Sequence, residues 1–251
     1  RDVAVFQGRI ADILQSREIL FACNEKGDRI GAKFEAGKVT LPPGYKEAYK
    51  AFNEAGWNGL SMRPENGGQG FPIVLHIASQ ELFTAANVNF MFTPGLTHGS
   101  LGLVQEFGTP EQKALYADKM LSGEWSGTMC LTEPSAGTAV PDLRSTARPI
   151  ADKPGFFKIK GQKVFISSGE HDMTTNIVHM VLARVEGDPS DHRGVSLFIV
   201  PKNKVDAYKA MAQKAKTFPA TCNIESKRFM DRTPAASSPS PRPGTGTLAR
   251  R

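Results

Sequence analysis

The sequence predicts an α+β protein in which an all-α helix bundle precedes a small antiparallel β domain. Apolar residues recur at three- and four-residue steps through the first half of the chain, and after Trp125 the apolar runs become short and alternating. With 251 residues, 40% hydrophobic and 22% charged, the chain can build a sizeable core. We expect a helical domain over residues 1–124, an incomplete β domain over 125–201 and an atypical tail over 202–251.

The helical period is clearest in two segments of the first domain, and a third segment carries its own start signal. Thr109 is a helix cap, Pro110 suits the first helical position and Gln112 can reach back to the cap amide, so we expect a helix ending near Leu121. The periodic apolar residues are Phe6, Ile10, Ile13 and Leu14, then Ile73, Ile77, Leu82, Phe83 and Ala86.

The β domain is predicted from alternation and from continuous apolar runs. Residues 157–160 and 163–166 alternate about a Gly161-Gln162 turn, which is typical of a hairpin. The runs 177–182 and 195–200 are bounded by turn residues, as strands covered on both faces are. The strand pattern stops after Pro201.

The basic charge belongs to the tail. Between Lys202 and Arg251 there are 11 Lys or Arg against 3 Asp or Glu, which leaves 20 against 22 for the rest of the chain. Ser, Pro, Gly, Thr and Arg dominate the end, so we expect disorder from about residue 228. A nucleic-acid or anionic-surface binder is a rival interpretation, but Phe229 is the only aromatic residue after Phe218, and we expect no nucleic-acid partner.

Apolar run lengths, cysteine spacing and histidine positions disfavour other functional classes. The apolar runs fall short of the roughly 20 residues of a membrane span, and residues 1–4 lack the apolar stretch of a signal peptide. Three cysteines without metal-ligand spacing favour a reducing compartment, which we take to be the cytoplasm. The histidines at 98, 171 and 179 are too scattered to predict a metal site.

Two segments carry the functional signal. Residues 129–138 read Met-Cys-Leu-Thr-Glu-Pro-Ser-Ala-Gly-Thr, and residues 164–169 read Val-Phe-Ile-Ser-Ser-Gly. Each places hydroxyls and backbone amides beside apolar side chains, which a buried ring with polar edges requires. Alone, Thr-Glu-Pro is most often a turn or a helix entrance, and Phe165 and Ile166 are ordinary strand-core residues; together the segments favour a cofactor wall.

In this order, after a helical domain, the two segments resemble the acyl-CoA dehydrogenase family. Further resemblances are Gly56-Trp57-Asn58-Gly59-Leu60, Gly108-Thr109-Pro110-Glu111-Gln112 and Ser122-Gly123-Glu124-Trp125. The resemblance covers roughly residues 1–201, and it is nearest to the long bacterial subgroup that includes 3-methylmercaptopropionyl-CoA dehydrogenase.

The resemblance implies that FAD lies between the β domain and helices of its own and a neighbouring subunit. One side of the isoalloxazine contacts the first segment, and the second segment covers the other side, with a hydroxyl near N5. Glu133 is a structural carboxylate in that pattern. The implied cofactor-binding residues are Met129, Leu131, Thr132, Gly137 for close backbone approach, Thr138 for the pyrophosphate, Phe165, Ile166 and Ser167.

The implied reaction is α,β-dehydrogenation of an acyl-CoA, with electrons passed to electron-transfer flavoprotein by a homo-oligomer. In the family the catalytic glutamate comes from a C-terminal helical domain, which this chain ends too early to include. We therefore expect an inactive fragment that holds FAD weakly. An acyl-CoA oxidase shares the flavin motifs, and a non-catalytic interaction protein with a basic tail is a third interpretation.

Two departures from the family pattern stand out. Ala139 occupies a position that is usually acidic, which predicts weaker hydrogen bonding in that loop. After Lys227 the family pattern is lost, and Phe229-Met230-Asp231-Arg232 can be read one base out as Ile-His-Gly-Ser. We hypothesise a frameshift there.

Overall fold

The computed structural model describes residues 3–203 and the backbone of residues 221–224, with side chains described from Gly8 to Asn203. The expected disorder from about residue 228 and the reading-frame hypothesis after Lys227 lie outside the described residues. None of the helices in the described part combines the length and apolarity that a membrane crossing requires.

The described part of the first 124 residues is mainly helical, as predicted. A two-stranded antiparallel ribbon, β1 (Lys33–Glu35) and β2 (Lys38–Thr40), lies between the first two helices. The helices share a core rich in aromatic rings, in which Phe52 packs edge to face against both Phe83 and Phe90. Their bounds are α1 Val3–Ile30, α2 Tyr45–Glu54, α3 Ile73–Ala86, α4 Val88–Phe107 and α5 Pro110–Leu121.

Helix α5 begins and ends where its capping signal predicts. The Thr109 side chain accepts a hydrogen bond from the Gln112 amide, and the Gln112 side chain accepts one from the Thr109 amide. Both bonds satisfy backbone donors that the first turn of a helix leaves without internal partners. Local chemistry alone therefore fixes this boundary.

Helix α3 has the predicted period, but it buries a different face. Leu75, Phe83 and Ala86 face the core, while Ile73 and Ile77 are each 59% exposed. A helical period shows that apolar residues recur on the same side of a helix. When more than one side carries apolar residues, the period does not decide which side packs against the core.

The remaining strands form one sheet in the order β3-β6-β4-β5-β8-β7. An additional pairing of β6 with β7 joins the five strands from β4 through β8 into a closed ring. Such closure removes free strand edges from the ring and leaves β3 outside it. The strands are β3 Trp125–Cys130, β4 Thr146–Pro149, β5 Phe156–Lys160, β6 Asn176–Val185, β7 Val195–Pro201 and β8 Thr221–Ile224.

The α+β class is confirmed, and three details of the β domain are corrected. The sheet is mixed, because β3 and β4 both run parallel to β6, whereas only β4–β5 and β6–β7 are antiparallel in this sheet. Strand β8 lies past Pro201, where we expected strands to end.

The predicted hairpin about Gly161-Gln162 is wrong. β5 pairs with β4, which precedes it, and residues 161–168 leave the sheet. A Cβ atom at Gly161 would lie 2.0 Å from the Ser145 hydroxyl, so this glycine is needed for close chain packing and does not form a hairpin turn. Residues 163–166, which were predicted as the second strand, have irregular backbone. Lys163 is buried there and Phe165 is exposed.

The helical and β parts share a continuous core. Tyr116 and Met120 of α5 pack with Trp125, Val178 and neighbouring residues of the sheet. Helix α4 also bonds to β3 directly, because the Thr97 hydroxyl accepts a hydrogen bond from the Gly127 amide at 3.0 Å. This bond fixes the middle of β3 relative to α4.

Candidate cofactor-binding site

The first predicted segment leaves the end of β3 and forms a tight loop. Glu133 and Ala136 exchange two backbone hydrogen bonds of 2.7 and 3.2 Å, which reverse the chain across Pro134 and Ser135. A Cβ atom at Gly137 would approach nothing closer than Thr132 Cγ2, at 4.0 Å. The loop is therefore compact and has free space beside its glycine.

The second segment exposes an aromatic ring from an unusual backbone conformation. Phe165 has φ +57° and Ser168 has φ +53°, both in the left-handed region that residues with a Cβ rarely adopt. The Phe165 side chain is 75% exposed, and Ser167 is also exposed. Ile166 between them packs against the sheet core. The segment thus anchors one apolar residue and presents the residues on either side of it.

The two segments are directly hydrogen-bonded to one another. The Val164 amide donates to the Thr132 carbonyl at 2.9 Å, and the Lys163 ammonium donates to the Leu131 carbonyl at 3.0 Å. Within β3, the Thr128 hydroxyl donates to the Ser167 carbonyl at 2.8 Å. The backbone of Leu131 and Thr132 therefore lies alongside the segment that carries Phe165 and Ser167.

A buried ion pair lies beneath this junction. Lys163 Nζ is 2.8 Å from Glu133 Oε1, and the two side chains are 0% and 3% exposed. Burial acts to raise the pKa of Glu133, but hydrogen bonds from Lys163, Ser145 and Arg144 outweigh it and leave the pKa below its ordinary value. The Glu133 carboxylate is fully engaged within the protein, as the structural role predicted for it requires.

The predicted site residues do not all occupy equivalent positions. Leu131, Thr132, Ile166 and Ser167 meet at the junction of the two segments, and Phe165 extends from it. Met129 packs against the core shared by helices and sheet. Gly137 lies beside Thr132, and the next residue, Thr138, is exposed, with its carbonyl accepting a hydrogen bond from the Val140 amide.

Several residues that build this junction were not predicted as site residues. Lys163, Thr128, Thr93 and Ser168 supply the hydrogen bonds between segments and to α4. Lys163 follows Gly161-Gln162 in sequence and would be expected to be exposed, because buried lysine is rare without a paired charge. The hydroxyl residues gave no signal, since their partners lie 39 and 75 positions away.

Two histidines are buried in the β domain: His171 in the loop before β6, and His179 within β6. His171 Nε2 is 3.0 Å from the Ser126 hydroxyl, and the ring also accepts a hydrogen bond from the Met173 amide. Burial, with a further contribution from Lys202, lowers the pKa of both His171 and His179 to about 4. Within the described residues no cluster of three His, Cys, Asp or Glu could hold a metal ion.

A small cavity of about 80 Å³ lies in the helical part, between α2, α3 and α4. The stacked rings of His76 and His98 line it, as does the almost fully buried Asn58, whose side-chain oxygen has no partner in the described structure. Its size suits a few water molecules, which His76, His98 and Asn58 could bind within an otherwise mainly apolar lining.

The fold and junction define an α+β protein whose candidate site lies between the end of an edge strand, β3, and a neighbouring segment with left-handed backbone. Comparison with known proteins makes the class specific. The description "Acyl-CoA dehydrogenase, N-terminal domain" matches residues 22–124, and "Acyl-CoA dehydrogenase, middle domain" matches residues 128–221. The chain belongs to the acyl-CoA dehydrogenase family.

Individual relatives agree with the family. The chain is 46% identical over 185 residues to 3-methylmercaptopropionyl-CoA dehydrogenase of Ruegeria pomeroyi, and 37% identical over 189 residues to butyryl-CoA dehydrogenase of Syntrophomonas wolfei; each match covers 74% of this chain. The crystal structure of an acyl-CoA dehydrogenase complexed with FAD from Bacillus anthracis is 31% identical, with a TM-score of 0.53, over 64% of this chain and 26% of that one. The chain spans 31% of the length of the two curated relatives.

Proposed function

We propose that this chain provides the helical and flavin-binding parts of an FAD-dependent acyl-CoA dehydrogenase. The observation that carries the proposal is the hydrogen-bonded junction between the Thr132 loop and the segment from Phe165 to Ser167. It joins an exposed aromatic ring, exposed hydroxyls and backbone carbonyl and amide groups on one continuous wall. The crystal structure of the Bacillus anthracis relative contains FAD, and this wall has the chemistry that an isoalloxazine requires.

The residues of the wall fit such a group. Phe165 offers an apolar face that the protein itself leaves uncovered, and Gly137 has no close neighbour that would block approach to the loop backbone. When bound, the flavin would accept the hydride removed from the β-carbon of the acyl group. Thr132 and Ser167 would orient the polar edge and exclude water, with Ser167 near N5, and Thr138 would bind the pyrophosphate.

The complete reaction needs more than the described residues. We propose that the α-proton is taken by a glutamate of a C-terminal helical domain, that the full-length protein forms a homo-oligomer, and that electron-transfer flavoprotein accepts the electrons. The 251-residue chain alone is then inactive and binds FAD weakly. The buried free thiols of Cys23 and Cys130 are consistent with a reducing, cytoplasmic location.

Two other functions remain as alternatives. An acyl-CoA oxidase would use the same wall and return electrons to oxygen, so reoxidation of the reduced full-length protein by air separates the two. A non-catalytic interaction protein would fold stably without flavin; if its basic tail bound nucleic acid, deleting residues 202–251 would abolish salt-sensitive binding.

The function is tested first on the chain itself. Acyl-CoA added without oxygen to the FAD-saturated chain should leave the flavin absorbance unchanged, because the catalytic glutamate lies in another domain. Stoichiometric FAD retention with bleaching by acyl-CoA would contradict the assignment of the chain as an inactive fragment.

The second test is the coding DNA from the codon of Val200 onward, read in all three frames. A frame that continues with a strand after Lys227 and then a helical domain carrying a glutamate supports the proposal. Absence of such a frame contradicts the catalytic assignment.

A further inference from the structure

The buried pair of Lys163 and Glu133 is the feature of the described chain that most needs an explanation. Taking two charges out of water costs several kcal/mol per ion in proteins, and an apolar pair of similar volume is often at least as stable. A buried ion pair is therefore poor evidence of a role in stability alone. Its contacts point to a more specific role.

Three stretches of chain meet at this pair. The Lys163 ammonium donates to the Leu131 carbonyl at 3.0 Å as well as to Glu133. The Glu133 carboxylate also accepts the amides of Arg144 and Ser145, at 2.6 and 3.1 Å. One lysine side chain thus connects the second flavin segment to both the backbone and the carboxylate of the first.

We propose that Lys163 is a positioning residue that holds the Thr132 loop and the segment from Phe165 to Ser167 in register as a single flavin-binding wall. The flavin part of this statement rests on the proposed function. The clamp itself rests on the contacts above and can be tested without the cofactor.

The backbone around Lys163 explains why a clamp is required. Phe165, two residues later, has φ +57°, a conformation that persists only where its surroundings enforce it. Three restraints precede it in the sequence. Gly161 packs against Ser145. Lys163 binds Leu131 and Glu133, and the Val164 amide donates to the Thr132 carbonyl. The orientation of the exposed Phe165 ring follows from these restraints.

The test compares local and global hydrogen exchange in the 251-residue chain without FAD. In Lys163→Met, the Val164 amide should exchange about tenfold faster or more, because its bond to Thr132 loses its neighbouring support. The Met180 amide, in the centre of the sheet, should keep its protection. Lys160→Met, which removes an exposed lysine three residues away, is the matched control and should change neither amide.

A second variant is needed if the buried Glu133 carboxylate, left without its ion-pair partner, prevents Lys163→Met from folding. The double variant Glu133→Gln/Lys163→Met removes both charges, and its melting temperature should stay close to that of the parent. Val164 should still exchange faster, because methionine cannot donate to Leu131. Equal changes at Val164 and Met180, or no change at either, would overturn the positioning role.

The same variants connect the clamp to the cofactor. In the double variant the dissociation constant for FAD, followed by flavin fluorescence, should rise about tenfold, equivalent to about 1.4 kcal/mol. An unchanged dissociation constant overturns the link between the clamp and flavin binding. If the parent chain shows no saturable binding, the proposed function fails instead, and the hydrogen-exchange result still decides whether Lys163 holds the two segments together.

Discussion

The hydroxyl oxygens of Thr93 and Ser168 lie 2.7 Å apart, although the two residues are 75 positions apart in the chain. Thr93 is buried on helix α4, and Ser168, which directly follows the segment from Phe165 to Ser167, has a left-handed backbone conformation. The helical part is thus bonded directly to the wall that we assign to the flavin. Movement of α4 relative to the sheet would displace this wall.

This bond should be measurable as a coupling in stability. Thr93→Val and Ser168→Ala should each lower the free energy of unfolding, and the double variant should lower it by about 1 kcal/mol less than the sum of the two. Urea unfolding of the four proteins measures the difference. Ser122→Ala, at an exposed serine, should show no coupling to Thr93→Val. Full additivity of Thr93→Val and Ser168→Ala would show that the hydroxyls do not interact.

The close packing of Gly161 predicts a strong effect from adding one methyl group. Gly161→Ala should lower the free energy of unfolding by about 1–3 kcal/mol, because its Cβ would meet both the side chain and the Cα atom of Ser145. Gly99→Ala is the control: nothing lies within 4 Å of its Cβ position in α4, and alanine should stabilise the helix by about 0.5–1 kcal/mol. Thermal or urea unfolding distinguishes the two signs. A harmless Gly161→Ala would mean that the chain does not approach Ser145 this closely.

The buried histidines predict a loss of stability in mild acid. Burial lowers the pKa of His179 to about 4, below the ordinary value of about 6.5, so the unfolded chain binds more protons between these values. Its contribution to stability is fully present above about pH 6.5 and is lost as the pH falls toward 4. Between pH 7 and pH 5 the loss is on the order of 2 kcal/mol.

Removing the titrating ring tests this assignment. His179→Leu should flatten the dependence of the unfolding free energy on pH between 7 and 5, whereas His192→Gln, at an exposed histidine, should leave it unchanged. His171 should keep part of the slope, because burial lowers its pKa in the same direction. An unaltered slope in His179→Leu would exclude His179 as a source of the acid sensitivity.

The departure at Ala139 predicts a gain of function by substitution. Ala139 is exposed and precedes a short 3₁₀ turn, Val140–Asp142, without a side-chain cap. An aspartate there could accept a backbone amide and stiffen the loop that carries Gly137 and Thr138. Ala139→Asp should therefore lower the dissociation constant for FAD, with Ala139→Asn as an uncharged control. Identical affinity in the parent and Ala139→Asp would exclude this explanation of the loop.

Local signals predicted the structure where the causes are local. The capping residues of α5 and the apolar runs of β6 and β7 specify their elements through neighbours in sequence, and those elements form as expected. The hairpin prediction was wrong because Gly161 packs against Ser145, and the local pattern of residues 157–166 gives no information about that distant partner. The parallel pairing of β3 with β6 was missed for a similar reason, because β4 and β5 lie between these two strands in the sequence.

The predictions for the candidate site show the same difference between local and distant causes. The two segments were recognisable because their hydroxyl, glycine and aromatic residues are contiguous in sequence. The contact that holds them together was not recognisable: the resemblance implied a structural role for Glu133, but its partner Lys163 lies 30 positions away and resembles an ordinary surface charge in the sequence. Met129 stays a predicted contact residue, and its position in the motif does not reveal that its partly buried side chain also packs against the core.

The most direct test of the account is an FAD titration of the chain and two variants that each remove one exposed aromatic ring. Phe165→Ala removes a ring that is 75% exposed in the wall, and Phe107→Ala removes one that is 79% exposed at the end of α4, about 20 Å along that helix from Thr93. The account predicts weak, saturable quenching of flavin fluorescence by the parent and by Phe107→Ala, and at least about tenfold weaker binding by Phe165→Ala, since base-sized rings gain about 1–3 kcal/mol from stacking on an aromatic side chain. Equal binding by the two variants, or no saturable binding by the parent, would contradict the assignment of this wall to the flavin.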